Sequence, residues 1–78
     1  IIKPGKYTAQ QVLSAIKTPT LILWGKEDRV IDVSSVSVFE RYLSNHKTVI
    51  LENVGHAPMV ERPEETANIL NDFIKDQL

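Results

Sequence analysis

An α/β fold of order αβαβα, with two parallel strands, follows from three features of this 78-residue sequence. Residues 20–25 are apolar without alternation, the pattern of a strand covered on both faces of a parallel sheet, and residues 47–52 form a second apolar strand. Between them Val33, Val36, Phe39 and Leu43 recur at the spacing of one helix face. Strand, helix and strand in that order form a crossover unit, whose rules predict parallel strands and a right-handed connection.

The elements read as follows. Lys3-Pro4-Gly5-Lys6 is a turn or the end of a linker. Thr8 with Gln11 three residues on forms a capping box, and Val12, Leu13 and Ile16 give residues 9–16 as a short helix. Thr18-Pro19 ends it, because the residue before a proline is pushed out of helical conformation. Residues 20–25 are the first strand, and residues 25–29 the loop leaving its C-terminal end. Asp32 or Ser34 caps the middle helix. Ser44-Asn45-His46 stops that helix, and His46 suits a surface or capping role near its negative end. Residues 53–58 form a second loop after the second strand. Pro63 opens the last helix, with Glu64 and Glu65 near its positive end. Ala67, Leu70, Phe73 and Ile74 are its expected buried stripe, with Ile69 at the edge.

Size and charge narrow the function classes. A domain this small buries only about 60% of its unfolded surface, and without Cys no disulfide reinforces it. Nine basic and ten acidic residues alternate along the chain, so no charged block points to nucleic acid or an anionic membrane. The longest apolar runs are too short to span a bilayer. No His, Cys, Asp or Glu cluster has metal-ligand spacing, no glycine-rich phosphate loop is present, and no cofactor is expected. The opening Ile1-Ile2-Lys3-Pro4 has neither a Met nor a signal-peptide pattern. Two strands also make a poor sheet. The expectation is therefore a piece of a larger α/β domain, its ends silent about compartment. Its exposed strand edge would then be open to self-association.

Asp28 and His56 are the candidate catalytic residues. Each lies just past the C-terminal end of a strand, where loops of open α/β sheets face a common crevice. One helix and one strand separate them, as adjacent parallel strands require. A nucleophilic Ser needs a base within hydrogen-bond reach, and an imidazole serves near neutral pH. A carboxylate on the neighbouring strand holds that imidazole in one tautomer and stabilises its cation. Both residues also have plainer readings, His56 as a surface loop residue and Asp28 as a turn or cap. Asp32 is the rival acid but reads better as a cap. Ser34, Ser35 and Ser37 lie at a helix start, and none has the Gly-x-Ser-x-Gly setting of an activated nucleophile. Trp24 reads as packing between sheet and helix, with an edge near the crevice. Met59 and Val60 are candidates for an acyl pocket beyond His56, or for core. Glu61 and Arg62 read as a solvated pair or as contacts to the rest of a larger protein.

These segments resemble a known family. Thr20-Leu21-Ile22-Leu23-Trp24-Gly25-Lys26-Glu27-Asp28 is similar to the acid-bearing segment of α/β-hydrolases, where Gly-x-x-Asp follows the penultimate strand. Asn53-Val54-Gly55-His56, followed by Glu61-Arg62-Pro63-Glu64, resembles the family's histidine segment, in which Gly-His precedes Glu-x-Pro by a few residues. The match covers roughly residues 18–78. Within the superfamily both segments resemble monoacylglycerol lipases of the abhydrolase-6 type and their bacterial lipase and esterase relatives. Many members carry Pro where Asp32 stands, and Asp32-Val33-Ser34 leans toward this subgroup.

The resemblance implies residues 1–78 as the C-terminal part of an α/β-hydrolase domain, with strands seven and eight of a mostly parallel sheet. Residues 1–16 would return from a cap domain. The nucleophile elbow, oxyanion hole and cap would lie before Ile1, so the 78 residues alone are expected to be inactive. It implies a serine ester hydrolase with a small-molecule ester or lipid substrate, His56 as general base and Asp28 as the orienting acid. Two other readings stand beside it. One keeps the fold with different chemistry, as in haloalkane dehalogenases, epoxide hydrolases or carbon–carbon bond hydrolases. The other is a non-catalytic binding or assembly module.

Overall fold

The computed structural model describes residues 7–78, so the turn read at residues 3–6 lies outside the described residues. Helix α1 (Ala9–Ala15) starts at the expected capping box: the Thr8 hydroxyl accepts from the Gln11 N–H, and the Gln11 side chain accepts from the Thr8 N–H. Strand β1 (Thr20–Gly25) follows, with the bounds read from its apolar run. A single 3₁₀ turn over Val33–Ser35 then leads into α2 (Val36–Tyr42). The Asp32 carboxylate caps that turn by accepting from the Ser34 N–H at 2.9 Å.

Strand β2 (His46–Leu51) starts one residue earlier than expected. His46 nonetheless closes the preceding helix, its Nδ1–H donating to the Leu43 carbonyl at 2.8 Å. β1 and β2 pair in parallel from Thr20 opposite His46 to Gly25 opposite Leu51. Both strands therefore end at one level, and their outgoing loops leave side by side. The other edge of β1 has no strand partner among the described residues.

The core lies between the sheet and the helices α1 and α2. Ile22, Val36 and Leu43 are buried, with Leu13, Ile16, Trp24, Val33 and Phe39 packed against them. Trp24 and Phe39 meet with ring centroids 5.9 Å apart and planes tilted by 43°, within the separation at which aromatic pairs attract.

The region after β2 departs most from expectation. A short helix α3 (Pro58–Glu61) replaces the end of the expected loop, with Pro58 in its first turn. Helix α4 (Pro63–Asp76) then starts where expected. Its apolar stripe is not buried as expected. Leu70 and Ile74 are exposed at 43% and 55%. Ala67 is also exposed, and Ile69 and Phe73 are half-buried. The cause is geometric: α4 is about 21 Å long, while a two-stranded sheet offers little surface to cover it.

Thr66 is the buried residue of α4, and its hydroxyl donates to the Pro58 carbonyl at 3.0 Å, tying α4 to α3. Thr66→Val keeps the shape and removes that bond, so it lowers stability by about 1 kcal/mol. A urea midpoint unchanged from wild type would contradict this role.

Candidate active site

The two loops that leave the strand ends are knitted together by backbone. The Lys26 N–H donates to the Leu51 carbonyl and the Glu27 N–H to the Val54 carbonyl, both at 2.9 Å. Asn53 has φ of 57°, a left-handed conformation that Asn tolerates better than most residues. Val54, only 1% exposed, anchors the second loop in the interior. Gly25 is a requirement of this contact. A Cβ there would stand 2.0 Å from the Gly55 carbonyl oxygen and 2.3 Å from that of Val54.

Asp28 and His56 meet across this junction. The His56 Nδ1 lies 3.0 Å from Asp28 Oδ2. The other carboxylate oxygen, Oδ1, accepts from the Val30 and Ile31 N–H groups, each at 2.8 Å. Trp24 supports the same loop, its indole N–H donating to the Ile31 carbonyl at 3.1 Å. The Asp28 side chain is 5% exposed, whereas that of His56 is 52% exposed.

Burial of Asp28 opposes its ionisation. The hydrogen bond from His56, those from the Ile31 and Val30 N–H groups and the nearby imidazole charge outweigh burial, and its pKa lies below the ordinary value. Asp28 is therefore ionised at neutral pH and only accepts. Nδ1 must then carry the proton, and in the neutral ring Nε2 is the free base.

A depressed folded-state pKa means that the unfolded chain binds protons more readily. The stabilisation is complete above the unfolded carboxylate pKa, about 4, and is lost as pH falls through the lower folded value. Thermal unfolding should therefore show an acid limb below about pH 4 that is shallower in Asp28→Asn. Equal limbs in both proteins would contradict it. Asp32 also titrates low, because the Ser34 side chain and N–H stabilise its charge, and the part of the limb due to Asp32 should remain.

Leu23, Trp24, Gly25, Asp28, Ile31, His56 and Pro58 line a cavity of about 100 Å³. Ligand pockets for drug-sized molecules run to roughly 300–1,000 Å³, so this cavity, lined by Asp28 and His56, is too small to enclose such a molecule. Met59 and Val60 lie on α3, 60% and 75% exposed, and do not line it. The expectation of a core role for them does not hold.

Glu61 does not pair with Arg62 in solvent: its carboxylate accepts from the Gly55 N–H at 2.9 Å and the Ala57 N–H at 3.2 Å, on either side of His56. Arg62 turns back instead, Nη1 donating to the Glu61 carbonyl and Nη2 to the Asn53 carbonyl. The available signal was Glu at a fixed distance after Gly-His, on a turn opened by Pro58. Among the described residues no group of three or more His, Cys, Asp or Glu side chains is placed to hold a metal ion. No helix there is long and apolar enough to cross a membrane.

No family model matches the chain. Solved structures do. A crystal structure of a membrane phospholipase A, described as a bacterial virulence factor, superposes with a TM-score of 0.83 at 51% identity, over 86% of this chain and 22% of that one. MGS-MChE2, an α/β-hydrolase enzyme from the metagenome of lagoon sediments at Mar Chica, Morocco, superposes with a TM-score of 0.82 at 35% identity, over 87% of this chain and 31% of that one. The chain therefore has the architecture of a segment of the α/β-hydrolase fold. Within that fold it is homologous to lipases: monoacylglycerol lipase ABHD6 of Mus musculus is 41% identical over 70 residues, 90% of this chain and 21% of that protein. The chain thus spans about a fifth of the curated relatives it matches.

Proposed function

We propose that residues 7–78 supply the acid and the base of a serine carboxylic-ester hydrolase acting on a glycerolipid ester, with the nucleophile and oxyanion hole outside these 78 residues. The carrying observation is the Nδ1–Oδ2 contact of 3.0 Å, with the second Asp28 oxygen already held by two backbone N–H groups. His56 Nε2 removes the proton from the serine hydroxyl as its oxygen attacks the ester carbonyl. The imidazolium that forms is stabilised by Asp28. It then protonates the departing alkoxide, leaving an acyl-enzyme. In the second half His56 deprotonates water, which attacks the acyl carbon, and returns the proton to serine. The glycerolipid class is supported by the relatives' names, a monoacylglycerol lipase and a phospholipase A.

The test is hydrolysis of p-nitrophenyl butyrate and of dispersed monoacylglycerol by the full-length protein. Turnover of both is expected, and none by the 78 residues alone. A full-length protein inert to esters but active on a haloalkane or an epoxide would replace the serine reading with an Asp nucleophile. Substantial ester hydrolysis by the 78 residues alone would remove the need for an outside nucleophile.

A further inference from the structure

We infer that Glu61 is a positioning residue for His56, acting through backbone rather than on substrate; this rests on the catalytic reading of His56. His56 is half exposed, and among the hydrogen bonds described its ring is held by Asp28 alone. Imidazole orientation therefore depends on where the loop backbone sits. Glu61 fixes that backbone on both sides, one carboxylate oxygen on the Gly55 N–H and the other on the Ala57 N–H. Charge-assisted bonds of this kind are stronger than neutral ones. The Glu61 backbone is itself anchored, its N–H donating to the Ala57 carbonyl at 3.0 Å within the turn that Pro58 opens. The loop and the short helix after it thus form one closed unit around His56.

Gly55 belongs to the same device. A Cβ at position 55 would first meet the Glu61 carboxylate, with Oε2 at 3.1 Å and Oε1 at 3.4 Å. No backbone atom stands as near, and the conformation there is open to ordinary residues. The absence of a side chain at position 55 therefore makes room for the carboxylate. It is a different requirement from that at Gly25, where a Cβ strikes backbone.

Misplacing a catalytic group by about 1 Å costs on the order of a hundredfold in rate. Glu61→Ala is accordingly expected to lower kcat per titrated active site by roughly ten- to a hundredfold, with KM little changed. Glu61→Gln keeps an acceptor for one of the two N–H groups and should fall between Ala and wild type. Gly55→Ala displaces the carboxylate, so combining it with Glu61→Ala should cost little beyond Glu61→Ala alone, the mark of coupled residues.

The experiment pairs these kinetics, on the full-length protein, with amide hydrogen exchange over residues 53–62. Faster exchange at Gly55 and Ala57 in Glu61→Ala, with lower kcat and partial rescue by Gln, is the expected result. Unchanged exchange there, or wild-type kcat per active site, would overturn the inference. If the wild type turns over no ester, the proposed function fails, and exchange alone decides whether Glu61 holds the loop. If Glu61→Ala does not fold, Gly55→Ala carries the same two readouts.

Discussion

Asp28→Asn in the full-length protein is expected to lower kcat by about 10⁴-fold while leaving the fold in place. The geometry explains the size of the loss. Oδ1 of Asp28 accepts from two backbone N–H groups at 2.8 Å, and both still need an acceptor in the variant. The amide oxygen of Asn takes that place, which turns its NH₂ toward His56. Nδ1 must then accept rather than donate, so the ring proton moves to Nε2. A base with its proton already on the reacting nitrogen cannot take one from serine. His56→Ala removes the base altogether and should cost as much or more, roughly 10⁴- to 10⁶-fold. A loss of only a few-fold in either variant would remove that residue from the mechanism.

Gly25→Ala is expected to destabilise the protein by roughly 3 kcal/mol or more and to displace His56. Its Cβ would lie 2.0, 2.3 and 2.7 Å from Gly55 O, Val54 O and Val54 C, all backbone atoms. Relief therefore requires the two loops to part. That breaks the Glu27 bond to the Val54 carbonyl and separates Asp28 from His56. Gly55→Ala is the control: it meets only the flexible end of Glu61 and should melt much closer to wild type. A Gly25→Ala protein that melts at the wild-type temperature would show that the loops are not held at this distance.

The parts legible in the sequence are those governed by local chemistry. Thr8 and Gln11 announce a capping box that depends on neighbouring residues only. The apolar run from Leu21 to Trp24 marks a strand, and the crossover helix makes the pairing parallel. Asp28 and His56 were recognisable because strand ends and their loops can be counted along the chain. Their meeting at 3.0 Å follows from the parallel register.

What was not legible depends on contacts between segments. Glu61 follows Gly55-His56 at a fixed distance, on a turn opened by Pro58, but that spacing alone does not say that its carboxylate turns back onto the loop backbone. The α4 stripe was misjudged for the opposite reason. Leu70 and Ile74 carry a helical apolar pattern, but burial needs a surface to cover them, and periodicity does not say whether the described residues supply one. Thr66, polar and unremarked in the sequence, is buried instead because its hydroxyl meets the Pro58 carbonyl.

Covalent labelling tests the central claim most directly. A fluorophosphonate ester reacts with a hydroxyl that a neighbouring base has activated, and mass spectrometry then locates the modified residue. The full-length protein should take up one label on a single serine outside these 78 residues, and His56→Ala and Asp28→Asn should slow that uptake by orders of magnitude. No labelling of the wild type, or labelling at the same rate without His56, would contradict the assignment of Asp28 and His56 as the acid and base that drive a serine nucleophile.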